Sequence, residues 1–293
     1  MKRTFFSVFA LLALLTIAIT PALANGTISQ VKTLNLSSLG SETVDLLIRT
    51  EGSTAALAAH ILSVGGQVKY QYENVPILAA TIPLSQWAGV AGFPGVAKVE
   101  KDSPVQLDID HGSTKPMSFE IELAAGESIM PLESYNLADL PQGYDNYMLS
   151  GAALTWAETD AGAGSIVAVV DTGTVPNLCL QHAVTGAPGF PDGYNATGDG
   201  IPANSTLNIP HGTFVGGVIA SLCQLNLYPA GPVYEAIHKY LPEYGTTIPI
   251  LGQAPLAQIY PVKVVSAEGG TTISTILGGL DHVLSLKKSG ALD

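Results

Sequence analysis

A run of five consecutive apolar residues, Ile166 to Val170, constrains the fold of this chain more than any other feature. A strand that is covered on only one face alternates apolar and polar residues, whereas a strand buried on both faces is continuously apolar. A second candidate strand runs from Gln258 to Val265, and a helix is predicted from about Thr272 to Leu286. Strands that alternate with helices predict an α/β fold with helices on both faces of a parallel sheet.

The composition is that of a globular protein and argues against one class of partner. Hydrophobic residues make up 47% of the 293 residues and charged residues 12%, so the chain can bury a sizeable core. The formal net charge is −12, with only 12 lysines and arginines. Because binding to nucleic acid needs a concentrated basic face, we expect no nucleic-acid partner.

The first 24 residues are typical of a secretory signal peptide. Lys2 and Arg3 precede an apolar run from Phe5 to Ile19, and small residues up to Ala24 fit a cleavage site. The apolar run is short for a membrane span and no stop-transfer segment follows it, with an uncleaved anchor as the alternative. We therefore expect cleavage after Ala24, a secreted extracellular protein, and no membrane contact after cleavage.

Residues 44–107 are predicted to form a small separate unit. Its elements follow the order β-α-β-β-α-β, the split pattern of ferredoxin-like folds. The predicted elements are the strands Val44–Arg49, Gln67–Tyr72, Ile77–Ile82 and Val96–Glu100 and the helices Ala55–Leu62 and Pro83–Val90. A unit this small has little core of its own, so we expect it to rest on a partner surface.

The two remaining segments differ in character. Residues 108–147 are rich in acidic residues, proline and serine and lack periodicity, so they are predicted to be a linker. Residues 148–293 contain the predicted strands and helices of the parallel sheet. The chain is therefore predicted to consist of a signal peptide, a small α+β unit, a linker and an α/β unit.

Two ionisable side chains are predicted at the functional edge of this sheet. Asp171 directly follows the apolar strand, and catalytic groups collect at the carboxyl ends of parallel strands. His211 is predicted to lie at the mouth of a helix, in which Gly216 and Gly217 would permit close packing against the sheet. A histidine that acts as a general base needs a carboxylate on its other ring nitrogen, and Asp171 and His211 are the candidates for that pair.

Three segments in order carry a resemblance to a known family. Gly164 to Gly173 and His211 to Gly217 resemble the aspartate and histidine motifs of the subtilisin-like serine proteases, or subtilases. Gly252 to Val265 is similar to the strand that leads to the substrate cleft in that family. The resemblance covers roughly residues 148–293, with an apparent insertion from Cys223 to Ile250. Residues 44–107 resemble the family's propeptide, a folding chaperone and inhibitor.

The resemblance implies a serine-type endopeptidase that hydrolyses peptide bonds through an Asp-His-Ser triad. His211 would act as general base and then as general acid, and Asp171 would orient it. Gly269 and Gly270 could line the substrate cleft by permitting close approach of a peptide strand, with an ordinary turn as the alternative. The implied partners are peptide or protein substrates and the chain's own propeptide, acting as an intramolecular inhibitor in a zymogen.

The triplet Asp171-Thr172-Gly173 also occurs in pepsin-like aspartic proteases, in which two aspartates share a proton. The chain contains a single such triplet, and it precedes a histidine motif that those enzymes do not need. The pepsin-like interpretation is therefore the weaker alternative.

The serine motif of the subtilases, Gly-Thr-Ser, does not occur in the chain. We interpret the chain as the N-terminal fragment of a longer protease whose serine lies beyond Asp293. The alternative belongs to a different class: a truncated, non-catalytic protein that acts as a protease inhibitor or chaperone through residues 44–107.

The remaining candidate groups give weaker expectations. Cys179 and Cys223 are the only cysteines, and a disulfide in an oxidising compartment stands beside two buried thiols as an equal alternative. His182, Asp192 and Asp199 are interpreted as loop residues rather than ligands. No cofactor is expected; the resemblance implies structural calcium, but no calcium loop is recognisable and no ligand is predicted.

Overall fold

The computed structural model describes residues 42–106, 126–131, 150–240, 242 and 245–292. The predicted signal peptide and most of the predicted linker lie outside these residues. The strands are β1 (Thr43–Thr50), β2 (Gln67–Gln71), β3 (Ile77–Pro83), β4 (Val96–Lys101), β5 (Pro104–Gln106), β6 (Ser128–Pro131), β7 (Ile166–Asp171), β8 (Tyr194–Asn195), β9 (Leu222–Asn226), β10 (Thr247–Leu251), β11 (Gln258–Lys263) and β12 (Gly270–Thr272). The α-helices are α1 (Ala55–Ser63), α2 (Trp87–Ala91), α3 (Ala152–Thr159), α4 (His211–Ala220), α5 (Pro232–Tyr240) and α6 (Ile273–Ser289), and short 3₁₀ turns lie at Leu84–Gln86 and Asp160–Gly162.

Strands β1 to β4 form an antiparallel sheet with the order β2-β3-β1-β4. Alternate residues of β1 and β3, such as Ile48 and Leu78, pack against Ile61 of α1 and Val90 of α2. These four side chains are fully buried, so the sheet and its two helices share one core. The elements occur in the predicted order, and their bounds differ from the predicted ones by a few residues at most.

The second sheet contains β7, β11 and β8 in that spatial order, and its strands are parallel. Ile166, Ala168 and Val170 of β7 pack on the side of α6, in a cluster that includes Leu286. The intervening Val167 and Val169 pack on the side of α4. The continuous apolar run of β7 thus packs against helices on both faces of the sheet. The prediction of a parallel sheet between helices is confirmed.

The third sheet was not predicted. Strands β10, β9 and β6 are antiparallel, with β9 in the centre, and α5 lies between β9 and β10 in the chain. β9 and β10 fall in the segment that the resemblance marks as an insertion, and β6 falls in the predicted linker. Ser128–Pro131 thus form a strand within the segment that is predicted to be a linker. A four-residue strand carries no periodicity of its own and forms because β9 offers it an edge.

Candidate active site

The candidate site lies where β7 ends and α4 begins. Asp171 is the last residue of β7, and His211 is the first residue of α4. Nδ1 of His211 lies 2.8 Å from Oδ1 and 3.0 Å from Oδ2 of Asp171. The Asp171 side chain is 17% exposed and that of His211 is 44% exposed, so the carboxylate is sheltered while the ring remains open to solvent. The structure thus brings together the two residues that the sequence paired.

The hydroxyl of Thr172 joins the two halves of the site. It donates to the carbonyl oxygen of Ile209 at 2.7 Å and accepts from the backbone N–H of Gly212 at 2.9 Å. Thr172 is fully buried, so these bonds are shielded from water. A residue adjacent to Asp171 therefore holds the backbone on both sides of His211, which the sequence analysis did not identify.

Two glycines, Gly212 and Gly216, permit the close approach of α4 to the end of β7 and the loop after it. The sequence predicts this role for Gly216 and Gly217. A Cβ at Gly212 would lie 2.2 Å from the carbonyl oxygen of Gly173 and 3.1 Å from Cβ of Asp171. A Cβ at Gly216 would lie 2.8 Å from Cγ2 of Thr174, in the loop after β7. At Gly217 the nearest contact is Ser221 at 3.3 Å, within the end of the same helix. The prediction that Gly217 serves packing against the sheet is wrong.

A disulfide lies beside this loop. Cys179 and Cys223 are joined with an S–S distance of 2.04 Å, so the structure contains the bond rather than two thiols. The backbone N–H of Leu222 donates to the carbonyl oxygen of Cys179 at 2.9 Å. The disulfide therefore connects the loop that follows Asp171 to β9 of the third sheet.

A buried ion pair supports the strand next to Asp171. Lys263, which pairs with Asp171 across the sheet, is fully buried, and its Nζ lies 2.6 Å from Oδ2 of Asp199. Asp199 also accepts from the backbone N–H groups of Ile201 at 3.0 Å and Ala267 at 3.3 Å. Burial alone would raise the pKa of Asp199, but hydrogen bonds from Lys263, Ile201 and Asn195 lower that pKa to about 2.

The interpretation of Asp199 as an ordinary loop residue thus misses its partner. Lys263 is a lysine within an otherwise apolar strand that is predicted to be buried. Because a buried lysine needs a partner of opposite charge, this position could have predicted a buried carboxylate.

Gly269 and Gly270 lie at the start of β12, whose edge is paired with β5. Gly270, Thr271 and Thr272 of β12 pair antiparallel with Gln106, Val105 and Pro104 of β5, respectively. The turn before β12 contains hydrogen bonds from Gly269 N–H to the Ser266 carbonyl at 3.0 Å and from Ser266 N–H to the Gly270 carbonyl at 2.9 Å. Gly269 and Gly270 thus lie in a turn, and Gly270 also begins the strand that pairs with β5. The role of the two glycines in a substrate cleft stays a prediction.

The unit that contains β1 to β4 also contacts α6 through charged side chains. The carboxylate of Asp102, which is 4% exposed, accepts from the backbone N–H of Ser274 at 3.0 Å and from its hydroxyl at 2.6 Å. The two carboxylate oxygens of Asp281 accept from the backbone N–H groups of Glu73 and Asn74, each at 2.8 Å. These contacts support the expectation that the small unit rests on a partner surface. They join residues roughly two hundred positions apart, so no local pattern predicts them.

Among the residues that the structure describes, no group of three or more histidine, cysteine, aspartate or glutamate side chains could hold a metal ion. Within the same part of the chain, no helix is both long and apolar enough to span a bilayer.

Comparison with known proteins identifies relatives over part of the chain. No family model matches it. Over 122 residues, the chain is 33% identical to Subtilisin BL and 32% identical to Subtilisin Savinase, both of Lederbergia lenta, and 32% identical to an alkaline protease of Shouchella clausii. The match covers 41% of this chain but only 33% of each Lederbergia lenta protein and 23% of the Shouchella clausii protein. The chain thus spans a third or less of these relatives.

A solved structure, the epidermin leader peptide processing serine protease EpiP of Staphylococcus aureus, aligns with 85% of this chain and 48% of its own. The TM-score is 0.48 at 11% identity, and a likeness this weak supports no argument. The similarity to subtilisins rests on the sequence matches.

Proposed function

We propose that this chain, which is subtilase-like over part of its length, is the N-terminal part of a secreted serine endopeptidase that hydrolyses peptide bonds. The observation that carries the proposal is the pairing of His211 Nδ1 with both oxygens of Asp171. This contact fixes one ring nitrogen as the donor to the carboxylate, so the other is available to take up a proton.

The proposed reaction uses this pair in two steps. His211 removes the proton of a serine hydroxyl as that oxygen attacks the carbonyl carbon of a peptide bond. The protonated ring then gives its proton to the leaving amine, and a water molecule repeats the sequence to release the acyl group. Asp171 fixes the tautomer of His211 and stabilises the imidazolium in both steps.

The serine in this proposal belongs to a segment outside residues 1–293. Two observations support this assignment: the sequence contains no Gly-Thr-Ser, and the matched relatives extend well beyond the matched segment. The oxyanion donors would also come from outside, since an acyl-transfer site needs them beside the serine.

Residues 44–107 are proposed as the inhibitory propeptide, a ferredoxin-like domain, with residues 1–24 as the signal peptide, 108–147 as the connection and 148–293 as part of the peptidase domain. Support comes from the strand order β2-β3-β1-β4 and from the pairing of β5 with β12. A substrate strand would need the same edge of β12, so β5 would exclude it.

A second candidate function is supported by the same contacts. The four-stranded sheet has its own buried core, and the contacts of β5 with β12 and of Asp102 with α6 require no serine. A chain that carried only these elements would be a protease inhibitor or folding chaperone without catalytic activity.

The coding sequence beyond the codon for Asp293 separates the two candidates. The protease proposal predicts an in-frame Gly-Thr-Ser motif and, in the secreted product, hydrolysis of a chromogenic peptide that Asp171→Asn reduces at least about a thousandfold. A stop codon at this point contradicts it. Inhibition of Subtilisin BL by the purified chain would then support the second candidate.

A further inference from the structure

The side chain of Gln106 lies against the turn that precedes β12. A Cβ placed on Gly269 would be 2.8 Å from Nε2 of Gln106 and 3.8 Å from Cδ1 of Ile209. The amide of Gln106 therefore occupies the space that the missing side chain leaves, and the Ile209 side chain borders the same space. The carbonyl oxygen of Ile209 accepts from Thr172, which also bonds the backbone N–H of Gly212.

The polar group that faces this amide is an acceptor. Nε2 of Gln106 donates to the carbonyl oxygen of Glu268 at 3.4 Å. Gly269 has a φ of +83°, a backbone conformation that favours glycine, and its N–H donates to the Ser266 carbonyl. The turn that orients the Glu268 carbonyl therefore needs glycine at position 269. The adjacent N–H of Ala267 is bonded to Asp199, which is held in turn by Lys263.

The charges near this turn disfavour an anion. Glu268 carries an exposed carboxylate, and the chain as a whole has a net charge of −12. A carboxylate in place of the Gln106 amide would face a carbonyl oxygen without a proton to donate. An amide of the same length keeps the donor and adds no charge.

We propose that this edge, formed by Glu268, Gly269 and Ile209, is a specificity site that selects a hydrogen-bond-donating side chain of glutamine's length in a paired peptide strand and rejects glutamate. This inference rests on the proposed function for the role of β12 as a substrate edge. Its substrate class is an extended peptide whose residue opposite Gly270 is glutamine.

Amide hydrogen exchange of the full chain, resolved by NMR at Gly270, Thr271 and Thr272, tests the selectivity. At pH 7 we expect Gln106→Glu to speed exchange of these amides roughly tenfold and Gln106→Met roughly fivefold, because both lose the donor. At pH 3.5 the new glutamate is largely protonated, so the Glu variant should return to within about twofold of the wild type measured at that pH, whereas the Met variant should not.

Val105→Glu is the matched control. It adds the same charge to the same strand, but its side chain points to the opposite face of β5. Exchange faster by less than about twofold is expected in this variant. Wild-type exchange in Gln106→Glu at pH 7, or equal acceleration in both glutamate variants, would overturn the proposal.

Binding of free peptides extends the test to substrates. In the Gln106→Met chain, where β5 is weakened, acetyl-Ser-Pro-Val-Gln-amide should shift the NMR signals of Gly270 to Thr272 with an affinity at least about tenfold higher than that of the Glu peptide. Equal affinities would refute the selectivity even if the longer product is a protease. A stop codon after Asp293 would refute the protease proposal and leave this binding preference unaffected.

Discussion

The antiparallel sheet of β1 to β4 is stabilised by contacts between residues that are close in the chain. The parallel sheet around Asp171 is stabilised by contacts between segments that are far apart in the chain. In the antiparallel sheet, β1 pairs with β3 and β4, and its core is contributed by residues 44–99. In the parallel sheet, Ile166 of β7 pairs with Gln258 of β11, and both strands depend on the loops between them. A disulfide connects one of those loops to β9 of the third sheet, and a buried ion pair connects another to β11.

This difference explains where the candidate chemistry lies. Asp171 and His211 come from separate elements, and their separation is set by Thr172, by glycine contacts and by the tethered loops. The antiparallel sheet needs only its own apolar pattern to close its core. The site therefore belongs to the region whose geometry depends on long-range connections, and the following predictions test that division.

The largest expected effect comes from removal of the disulfide. The double variant Cys179→Ser, Cys223→Ser should lose about 4 kcal/mol of unfolding free energy, because the bond closes a long loop in the unfolded chain. Segment-resolved hydrogen exchange should show faster opening in β7, β9 and α4 and unchanged exchange in β1 and β3. Equal acceleration in both sheets would contradict the division.

The converse test removes a core side chain of the antiparallel sheet. Ile48 is fully buried, so Ile48→Ala should cost about 3 kcal/mol through lost burial and a residual cavity. Exchange should accelerate in β1 to β4, while the loop after Asp171 stays protected. Leu62→Ala is the control, since that side chain is 60% exposed and should change stability little.

The buried ion pair predicts a pH dependence of intermediate size. Hydrogen bonds in the folded protein lower the pKa of Asp199 to about 2, below its ordinary range, so the stability that its carboxylate contributes is present above about pH 4 and is lost as the pH falls toward 2. The loss should be about 2 kcal/mol in denaturant unfolding measured from pH 5 to pH 2.

Two variants separate this contribution from other carboxylates. Asp199→Asn should lack this part of the pH dependence, whereas Asp192→Asn, at an exposed position in a nearby loop, should retain it. An unchanged pH profile in Asp199→Asn would show that the ion pair with Lys263 does not stabilise the parallel sheet.

The smallest expected effect concerns the contact between the two regions. Asp102→Asn keeps one acceptor for Ser274 but removes the charge next to the N-terminus of α6, so we expect a loss of about 1 kcal/mol. Exchange at the Ser274 amide should accelerate without a change in the core of β1 and β3. Glu100→Gln is the control because its side chain is 58% exposed.

Local patterns predicted the elements whose stability is local. The continuous apolar run of β7 predicts that both faces of this strand are covered, and the structure agrees. The order of the aspartate and histidine motifs paired Asp171 with His211 because the carboxyl edge of a parallel sheet gathers such groups.

The same patterns failed where a contact depends on a distant segment. β5 and β6 have three and four residues and form only beside β12 and β9. Asp102 pairs with Ser274, 172 residues away, and Lys263 pairs with Asp199 across a loop. The sequence predicts that Gly217, like Gly216, packs against the sheet. Of the glycines in α4, Gly212 and Gly216 face the loop after β7, and Gly217 does not.

We propose that His211, oriented by Asp171, acts as the proton carrier of a subtilisin-like protease. The most direct measurement is the rate of casein hydrolysis by the full secreted product that contains this chain, compared between the wild type and His211→Ala. His182→Ala is the control, because the His182 ring contacts the Pro255 carbonyl at 2.9 Å and takes no part in the Asp171 pair. We expect His211→Ala to lower the rate at least about a thousandfold and His182→Ala to retain it. Wild-type hydrolysis by the His211→Ala product would contradict the assigned role of His211.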